Sequence, residues 1–438
     1  MKQFIMGITI LLLLALPACQ MITEDKDLEP NTEDVDYIKS DLVRETSSTV
    51  DLNQIMTLAE DNAAFAFAIN EQINQTLGKN ENFVFSPLSL SLALSMTLSG
   101  ADSTTEQGML EALHLSIPEE KIYPSFNALL LAIEQSQEMT KKGSEGSQFQ
   151  INFANSIWGQ AGYSFDTEFL DTLAKYYGAG VYNVDFRRNP KAAINAINAW
   201  VEDETQEKIQ DLIPSGAINE LTRLVLANAI YFNGSWLYPF DAKNTSQQPF
   251  KLLDGPEVTV ELMKLSGKSL AYDKGENFQA VSLPYLSTDF NMMIVLPDAG
   301  KFQEFENQFS PEALKTIINE MKFVKVDLSM PKFDFESTLN ANNALKALGM
   351  EEAFDVEKAD FSGITQEDEL MITDVLHKTT ITVDEAGTEA AAASAVIVGV
   401  RSYNPEDPIV LVIDRPFQFF IMHKPTNAIL FMGKVMQP

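Results

Sequence analysis

The part of the chain with the clearest potential for chemistry is the segment 383–401. Glu385 and Gly387 follow a β-branched run, four consecutive alanines occupy 390–393, and Arg401 is the first basic residue after them. Alanine has the highest helix propensity, so the alanine run suits a helix. It also suits a segment that slides into a tight slot between two strands. A loop arginine is commonly solvated, but its guanidinium is also the group that trypsin-like proteases bind with a carboxylate in a deep pocket.

The sequence lacks the constellations expected of an enzyme or a metal site. His114, His377 and His423 are isolated, and no His-x-x-x-His or Cys/His spacing indicates a metal. A glycine-rich phosphate loop and a nucleophile elbow are also missing from the sequence. We therefore expect no cofactor, no metal and no enzymatic activity. Catalysis by His377 is the competing interpretation, although a buried structural histidine is the commoner case.

The elements that must position the segment 383–401 follow from hydrophobic spacing. Helices are predicted at 55–77, 88–98, 103–113, 119–136 and 189–205. Strands are predicted at 82–87, 149–159, 181–186, 224–233, 279–284, 290–296, 325–329, 379–383, 409–413, 417–423 and 428–435. Because strands and helices are interspersed without regular βαβ alternation, the pattern indicates an α+β fold with largely antiparallel sheets. No repeat or linker divides residues 53–438.

Seven blocks of the sequence resemble, in order, the signatures of the serpin family. They occupy 82–93, 224–236, 330–333, 348–350, 359–364, 414–421 and 429–435. The resemblance covers nearly all of 53–438. It implies the serpin fold, which has three mostly antiparallel β-sheets, about eight to nine helices and an exposed reactive-centre loop, here at about 385–408.

The resemblance also implies a role for the segment 383–401, as the hinge and reactive bond of an inhibitory serpin. The hinge comprises Glu385, Gly387, Thr388, Glu389, Ala390, Ala391, Ala392 and Ala393. Fourteen residues after Gly387, Arg401 is the residue whose carbonyl a serine protease attacks, and Ser402 follows it. After cleavage the loop inserts into a sheet as a new strand, and about 14 residues at roughly 3.3 Å each carry the acylated protease nearly 50 Å.

Two departures from the family pattern accompany this segment. Ala386 replaces an acidic residue that many members carry, and the stretch between Arg401 and Pro416 is longer than in many members.

In an inserted strand alternate residues share a face, so Thr388 would point inward and Glu389 outward. We expect Thr388→Arg to block insertion while the exposed native loop tolerates it.

A polar cluster is implied beneath the point where serpins open the sheet. By resemblance it comprises Ser86, Ser89, Asn228 and His377, and we expect its side chains to share hydrogen bonds that hold the sheet closed. Trp236, in the second block, is expected to pack at the top of the sheet rather than to bind a ligand.

Charge limits the partners. Asp and Glu number 62 against 31 Lys and Arg, which argues against nucleic acid. Sulfated polysaccharide is not expected either, because the helix at 103–113 carries Glu106 and Glu111 and no basic residue.

The expected partners are trypsin-like serine proteases, which bind an arginine such as Arg401. Elastase-like enzymes are an alternative, since apolar residues at 396–400 precede Arg401, and arginine-directed cysteine proteases are another. A non-inhibitory serpin that serves as a scaffold is the second interpretation, disfavoured by the small hinge residues. We expect a monomer.

The N-terminal region resembles a bacterial lipoprotein signal. Residues 1–18 contain a short charged start and an apolar run too short to span a bilayer, and Cys19, the sole cysteine, follows Leu16-Pro17-Ala18. We therefore expect lipidation at Cys19, a membrane anchor, and location in the bacterial cell envelope, at the outer membrane or cell surface. The acidic stretch 19–52 is predicted to be a disordered tether before a serpin domain at 53–438.

Overall fold

Two large β-sheets and nine α-helices form the part of the protein that the computed structural model describes, which is residues 35–143, 149–366, 370–388 and 407–438. Several predicted site residues lie outside these ranges: Cys19, Glu389, Ala390, Ala391, Ala392, Ala393, Arg401 and Ser402. The helices are α1 Leu52–Asn74, α2 Pro87–Leu98, α3 Ser103–Ala112, α4 Glu119–Gly143, α5 Thr167–Thr172, α6 Pro190–Glu204, α7 Phe302–Gln308, α8 Pro311–Glu320 and α9 Asn342–Leu345.

The first sheet, which we call the central sheet, has seven strands. In spatial order they are β1 Asp36–Ile38, β4 Val181–Val184, β3 Phe149–Gln160, β5 Leu224–Ser235, β13 Gly387–Thr388, β12 Asp374–Val383 and β11 Phe333–Asn340. The second sheet runs β14 Ile409–Val412, β10 Lys322–Pro331, β7 Glu257–Lys274, β8 Phe278–Pro284, β9 Phe290–Pro297, β15 Phe417–His423, β16 Ala428–Val435 and β2 Phe83–Phe85, with β6 Ser246–Lys251 on β7.

The predicted α+β class is confirmed, and most of its strand pairs are antiparallel. The 18-residue strand β7 pairs with β6 at its start, with β10 from Leu262 to Tyr272, and with β8 at its end. It thereby connects what the resemblance describes as two separate sheets into one hydrogen-bonded unit.

Helix α2 lies at the centre of the core, as its nearly all-apolar sequence predicts. Every one of its residues is buried, and it packs against strands of both sheets. Ser86 caps its N-terminus by accepting the amide of Ser89 at 3.2 Å, and Pro87 occupies the first turn, where the missing amide has no cost. This cap also fixes two members of the predicted polar cluster under the central sheet.

The other face of the central sheet is covered by α6. Ile197 and Val201 of the helix pack into a separate apolar cluster with Trp158 of β3 and Val225 of β5. The strands at the centre of the sheet are therefore buried on both faces, which explains why β5 reads as a continuous apolar run.

The predicted disordered tether is wrong for its second half. Residues 35–51 follow the surface of the domain, with β1 paired to the edge strand β4 and Tyr37 packed on Tyr182 at a ring distance of 4.6 Å. Asp51 then caps α1. Main-chain pairing and one aromatic contact offset the low hydrophobicity of this stretch, a long-range effect that composition does not reveal. In the described ranges no helix combines the length and apolar character needed to cross a bilayer.

Candidate functional site

The hinge begins inside the central sheet. Gly387 and Thr388 form β13, which pairs antiparallel with Ser235 and Gly234 of β5 on one side and, through Thr388, with Val383 of β12 on the other. The first two residues of the predicted inserting strand therefore already occupy a position between the two central strands.

A tight turn leads from β12 into β13. The Asp384 carboxylate accepts the amides of Ala386 and Gly387 at 2.8 and 3.1 Å, which closes the turn. Trp236 binds both ends of it: its amide donates to the Ala386 carbonyl at 2.9 Å, and its indole N–H donates to the Asp384 carbonyl at 3.0 Å. The turn is thus fixed to the end of β5, and Trp236 packs at the top of the sheet as predicted.

Glu385 is held by two polar partners beside the turn. Its carboxylate accepts the Thr245 hydroxyl at 2.7 Å and lies 3.1 Å from the Lys332 ammonium. Partial burial opposes ionisation, but the Thr245 hydrogen bond and Lys332 outweigh it and lower the pKa of Glu385. The carboxylate is therefore ionised at neutral pH.

Thr388 is buried, which corrects the expectation that the native loop would tolerate Thr388→Arg. Its side chain is 2% exposed, and its hydroxyl lies 2.8 Å from the Tyr285 hydroxyl. Tyr285 is itself buried and stacks on Trp236 at 4.6 Å, and burial raises its pKa strongly. The inward direction of Thr388 was predicted correctly, but its environment in the uncleaved chain was not.

Below the hinge, β5 and β12 change from separated to paired. Their parallel register joins Asp374–Lys378 of β12 to Val225–Ala229 of β5 and ends there. Between that register and β13, residues 379–382 of β12 and 230–233 of β5 are not paired with each other. We call the space between these two segments the slot. An extended segment that continues from Thr388 would run into it.

The polar cluster lies at the lower end of the slot, as predicted. Asn228 donates to the Ser89 carbonyl at 2.6 Å and to the Ser89 hydroxyl at 2.8 Å, and its amide oxygen contacts Nδ1 of His377. The Ser86 amide donates to Nε2 of His377 at 2.9 Å. These four residues bring together α2, β5 and β12, and all four are buried.

The contacts of His377 fix its protonation. Because Nε2 accepts the Ser86 amide, the ring proton must be on Nδ1, from which it is donated to Asn228. Burial lowers the pKa of His377 to about 3, although its contact with Asn228 acts in the opposite direction. The neutral, fully hydrogen-bonded ring is a structural group, and nothing in its geometry suits general-base catalysis.

Sequence reasoning missed several members of the site. Asn155 of β3 contacts both Asn228 and Ser89, and Thr379 of β12 lies 2.8 Å from His377 Nε2. Tyr285 and Lys332 complete the surroundings of the hinge. Asn155 lies inside a predicted strand that also contains Gln150, Asn152 and Ser156, so its residue type alone gave no distinctive signal. Tyr285 is 103 residues from Thr388 and gives no local signal.

Comparison with known proteins places this chain in one family. The family model described as serpin, serine protease inhibitor, matches residues 60–438. An uncharacterized serpin-like protein of Thermococcus kodakarensis is 37% identical over 376 residues, which are 86% of this chain and 84% of the relative. The leukocyte elastase inhibitor of Xenopus tropicalis is 34% identical over 380 residues, 85% of this chain and 97% of the relative.

Solved structures agree. The crystal structure of the thermophilic serpin tengpin in its native state matches with a TM-score of 0.76 at 28% sequence identity, over 92% of this chain and 98% of that one. The chain therefore belongs to the serpin family and has the serpin fold. Serpins are protease inhibitors, generally without catalytic activity, and the relatives of this chain include inhibitory members.

Proposed function

We propose that this protein is a suicide-substrate inhibitor that traps a trypsin-like serine protease by inserting its cleaved loop between β5 and β12. The observation that carries the proposal is β13, a two-residue strand already paired with both neighbours above the slot. The inserting strand thus has a nucleus in the uncleaved protein, and extension adds residues to an existing ladder.

The registers of the two neighbours support a single path for extension. In a regular antiparallel ladder, the numbers of two paired residues always have the same sum. This sum is 622 for the β13–β5 pairs and 771 for the β13–β12 pair. Position 394 therefore comes opposite Asn228 on one side and opposite His377 on the other, and these two residues are themselves paired across the strands. A strand that continues β13 would meet both neighbours in a consistent register down to the polar cluster.

Insertion beyond the slot replaces the one ladder between β5 and β12 with two ladders, one on each side of the new strand. The five parallel pairs between β5 and β12 must separate, and antiparallel pairs form on both sides of the new strand. Each strand hydrogen bond contributes ~1 kcal/mol net, so more than a dozen of them, together with apolar burial, favour the inserted state. The small residues at 390–393 fit a slot lined by buried side chains.

The target follows from Arg401. Its guanidinium suits the carboxylate pocket of a trypsin-like protease, which would form an acyl-enzyme at the Arg401 carbonyl and release Ser402 as the new amino terminus. The apolar residues Val396, Val398 and Val400 offer neighbouring bonds to elastase-like enzymes. Acylation of Cys19 would hold the inhibitor at the membrane of a bacterial cell envelope.

The experiment is to mix the mature protein with trypsin and examine the products by denaturing electrophoresis. A complex that survives denaturation, together with a released fragment that begins at Ser402, is expected. Arg401→Ala is the matched control and should lose at least about 100-fold in trypsin inhibition, because the S1 carboxylate has no partner. Complete cleavage after Arg401 without any stable complex would instead favour the scaffold interpretation.

A further inference from the structure

Three exposed apolar side chains lie together on the second sheet, on its edge strand β14 and on the neighbouring strand β10. Phe323 is 77% exposed, Val410 is 69% exposed and Val412 is 38% exposed. A single exposed apolar residue on a protein surface is ordinary and needs no explanation. Three of them on two adjacent strands form a patch, and a patch of this kind indicates a contact with another molecule.

The strand registers place the three side chains on one face of the sheet. The side chains at 326, 328 and 330 of β10 are buried, so those at 323, 325, 327 and 329 point outward. Val410 pairs with Asp327, and Val412 pairs with Ser329. Because paired residues share a face, both valines point outward beside β10. We call the surface formed by positions 323, 325, 327, 329, 410 and 412 the outer face.

The charges around the outer face differ from those of the chain as a whole. Lys264 of β7 pairs with Ser329 and is exposed, and Lys325 points outward on β10. The carboxylate on the same stripe, Asp327, accepts the Gly267 amide at 2.7 Å. The chain has a net charge of −31, but this surface is apolar with lysines at its edge. It therefore fits a partner whose contact surface is apolar and is not basic.

The outer face adjoins the point at which the chain returns after the reactive bond. Asp407 is the first described residue after the hinge, and β14 begins at Ile409. Arg401 precedes Ile409 by eight residues, so chain length alone keeps the two within about 29 Å, whatever path the chain takes. A protease of about 220 residues has a radius of gyration near 17 Å and a diameter of about 44 Å. A protease bound at Arg401 can therefore reach the outer face.

The size of the outer face suits an additional contact rather than an independent interface. From position 323 to position 329 it is about 20 Å long, and three strands are about 14 Å wide, which gives roughly 280 Å². A stable interface buries about 800 Å² on each partner. The face is therefore too small to hold a second copy of this chain. A protease that Arg401 already holds needs only a small further contact, because its local concentration is high.

We infer that the outer face is a secondary docking site for the target serine protease, and that Phe323, Val410 and Val412 contact the apolar rim of its active-site cleft. The inference rests on the proposed function. It gives β10 and β14 a part in selecting the protease, in addition to the part of Arg401. Because this contact forms before the Arg401 carbonyl is attacked, it raises the rate of capture and leaves the later choice between trapping and hydrolysis unchanged.

The experiment measures two quantities with trypsin and the intact inhibitor. These are the second-order rate constant of inhibition and the number of inhibitor molecules consumed per trypsin. The test variant combines Phe323→Ser with Val410→Thr, which keeps the β-branched side chain that suits a strand. Each substitution is also made alone. The matched control is Leu221→Ser, which removes an apolar side chain that is 73% exposed near the end of β5 away from the hinge.

The double variant should lose at least about fivefold in the rate constant, because it removes binding that precedes acylation. Its stoichiometry and melting temperature should equal those of the wild type, and Leu221→Ser should change none of the three. Each single variant should show part of the loss.

Equal rate constants for the double variant and Leu221→Ser would overturn the inference and leave the proposed function intact. A changed stoichiometry at an unchanged rate constant would also overturn it, since the effect would then follow acylation. If the wild type forms no stable complex with trypsin, the proposed function fails, and the inference fails with it.

Discussion

The strands β5 and β12 lie side by side along two halves, an upper and a lower one, and different interactions stabilise the two halves. In the upper half, two residues of the hinge occupy the gap, and Thr388 makes one side-chain hydrogen bond, to Tyr285. In the lower half, five parallel pairs join the strands, and the polar cluster ties both of them to α2.

Under the proposed mechanism, this difference separates the start of loop insertion from its completion. The upper half is already nucleated, so the first residues after Thr388 need to displace no strand pairing. At position 394 the new strand reaches Asn228 and His377, where the pairing and the buried hydrogen bonds resist further opening. The proposed function therefore assigns to the polar cluster the role of a barrier that keeps the uncleaved protein from inserting its loop.

The largest effect is expected from breaking the upper half with Thr388→Arg. An unpaired guanidinium in the place of a side chain that is 2% exposed costs several kcal/mol, so β13 should leave the sheet. The variant should become an ordinary substrate, with stable complex reduced at least about 10-fold. Fluorescence of Trp236, which binds the turn, should change when β13 leaves.

Thr388→Val is the matched control for that variant. It keeps the shape of the side chain and loses only the hydrogen bond to Tyr285, worth ~1 kcal/mol. It should retain most complex formation and an unchanged fluorescence spectrum. If Thr388→Arg inhibits with the wild-type stoichiometry, the hinge is not the starting point of insertion.

Breaking the lower half with Asn228→Ala is expected to cost about 2–4 kcal/mol of unfolding free energy, because it leaves the buried Nδ1–H of His377 without its acceptor and removes the amide that binds the Ser89 carbonyl. Urea unfolding measures this loss. Asn152→Ala is the matched change on the neighbouring strand β3, where the side chain binds Glu204 at a part-buried position, and about 1 kcal/mol is expected. Equal losses in the two variants would remove the special role of the cluster.

Much of this architecture could be predicted from the sequence, and the failures have a common cause. Buried elements such as α2, β5 and β15 are rich in apolar residues and were placed to within a few residues. The long strand β7 was missed because half of its residues face solvent and its register shifts against β10 between Val326 and Leu328. Solvated strands carry little of the hydrophobic alternation on which the prediction depends.

The site shows the same division. The polar cluster was found from family motifs, and its four members do meet. Insertion of β13 and attachment of β1 were not foreseen, since both depend on main-chain pairing with strands far away in sequence. The composition of β13 does not predict a strand, and neither does that of β1.

The pH dependence of stability provides a further test of the lower half, because His377 lies there as a buried, neutral side chain. Its pKa of about 3 in the folded protein lies below the ordinary 6.5, so the unfolded chain binds the proton first. Stability is therefore complete above pH 6.5 and falls as pH drops toward 3. His423, with a pKa lowered to about 4 by burial despite Asp289, acts in the same direction.

Each histidine should remove about 2 kcal/mol of unfolding free energy between pH 7 and pH 5. Urea midpoints at the two pH values measure the total, and His377→Gln should reduce the difference by about half. The window lies above the range in which Glu385 and the other carboxylates of lowered pKa titrate. A midpoint that does not change from pH 7 to pH 5 would contradict the assignment of a neutral His377.

The smallest effect concerns the ion pair beside the hinge. Lys332→Met removes a part-exposed partner of Glu385, so a loss of only about 0.5–1 kcal/mol in hinge stability is expected. Trp236 fluorescence under mild urea is the readout. Lys358→Met, which removes the exposed pair with Asp355 far from the hinge, should have no measurable effect. Identical responses of the two variants would show that the Glu385 pair does not hold the turn.

The most direct test of loop insertion is amide hydrogen exchange in 230–233 and 379–382, measured before and after complete cleavage at Arg401. In the uncleaved protein the amides that face the slot should exchange readily, because the strand pairing ends at Ala229 and Lys378. After cleavage a new strand should cover them, slowing their exchange by at least about 100-fold, equivalent to about 2.7 kcal/mol of added protection. Unchanged exchange in both segments after full cleavage would contradict insertion between β5 and β12.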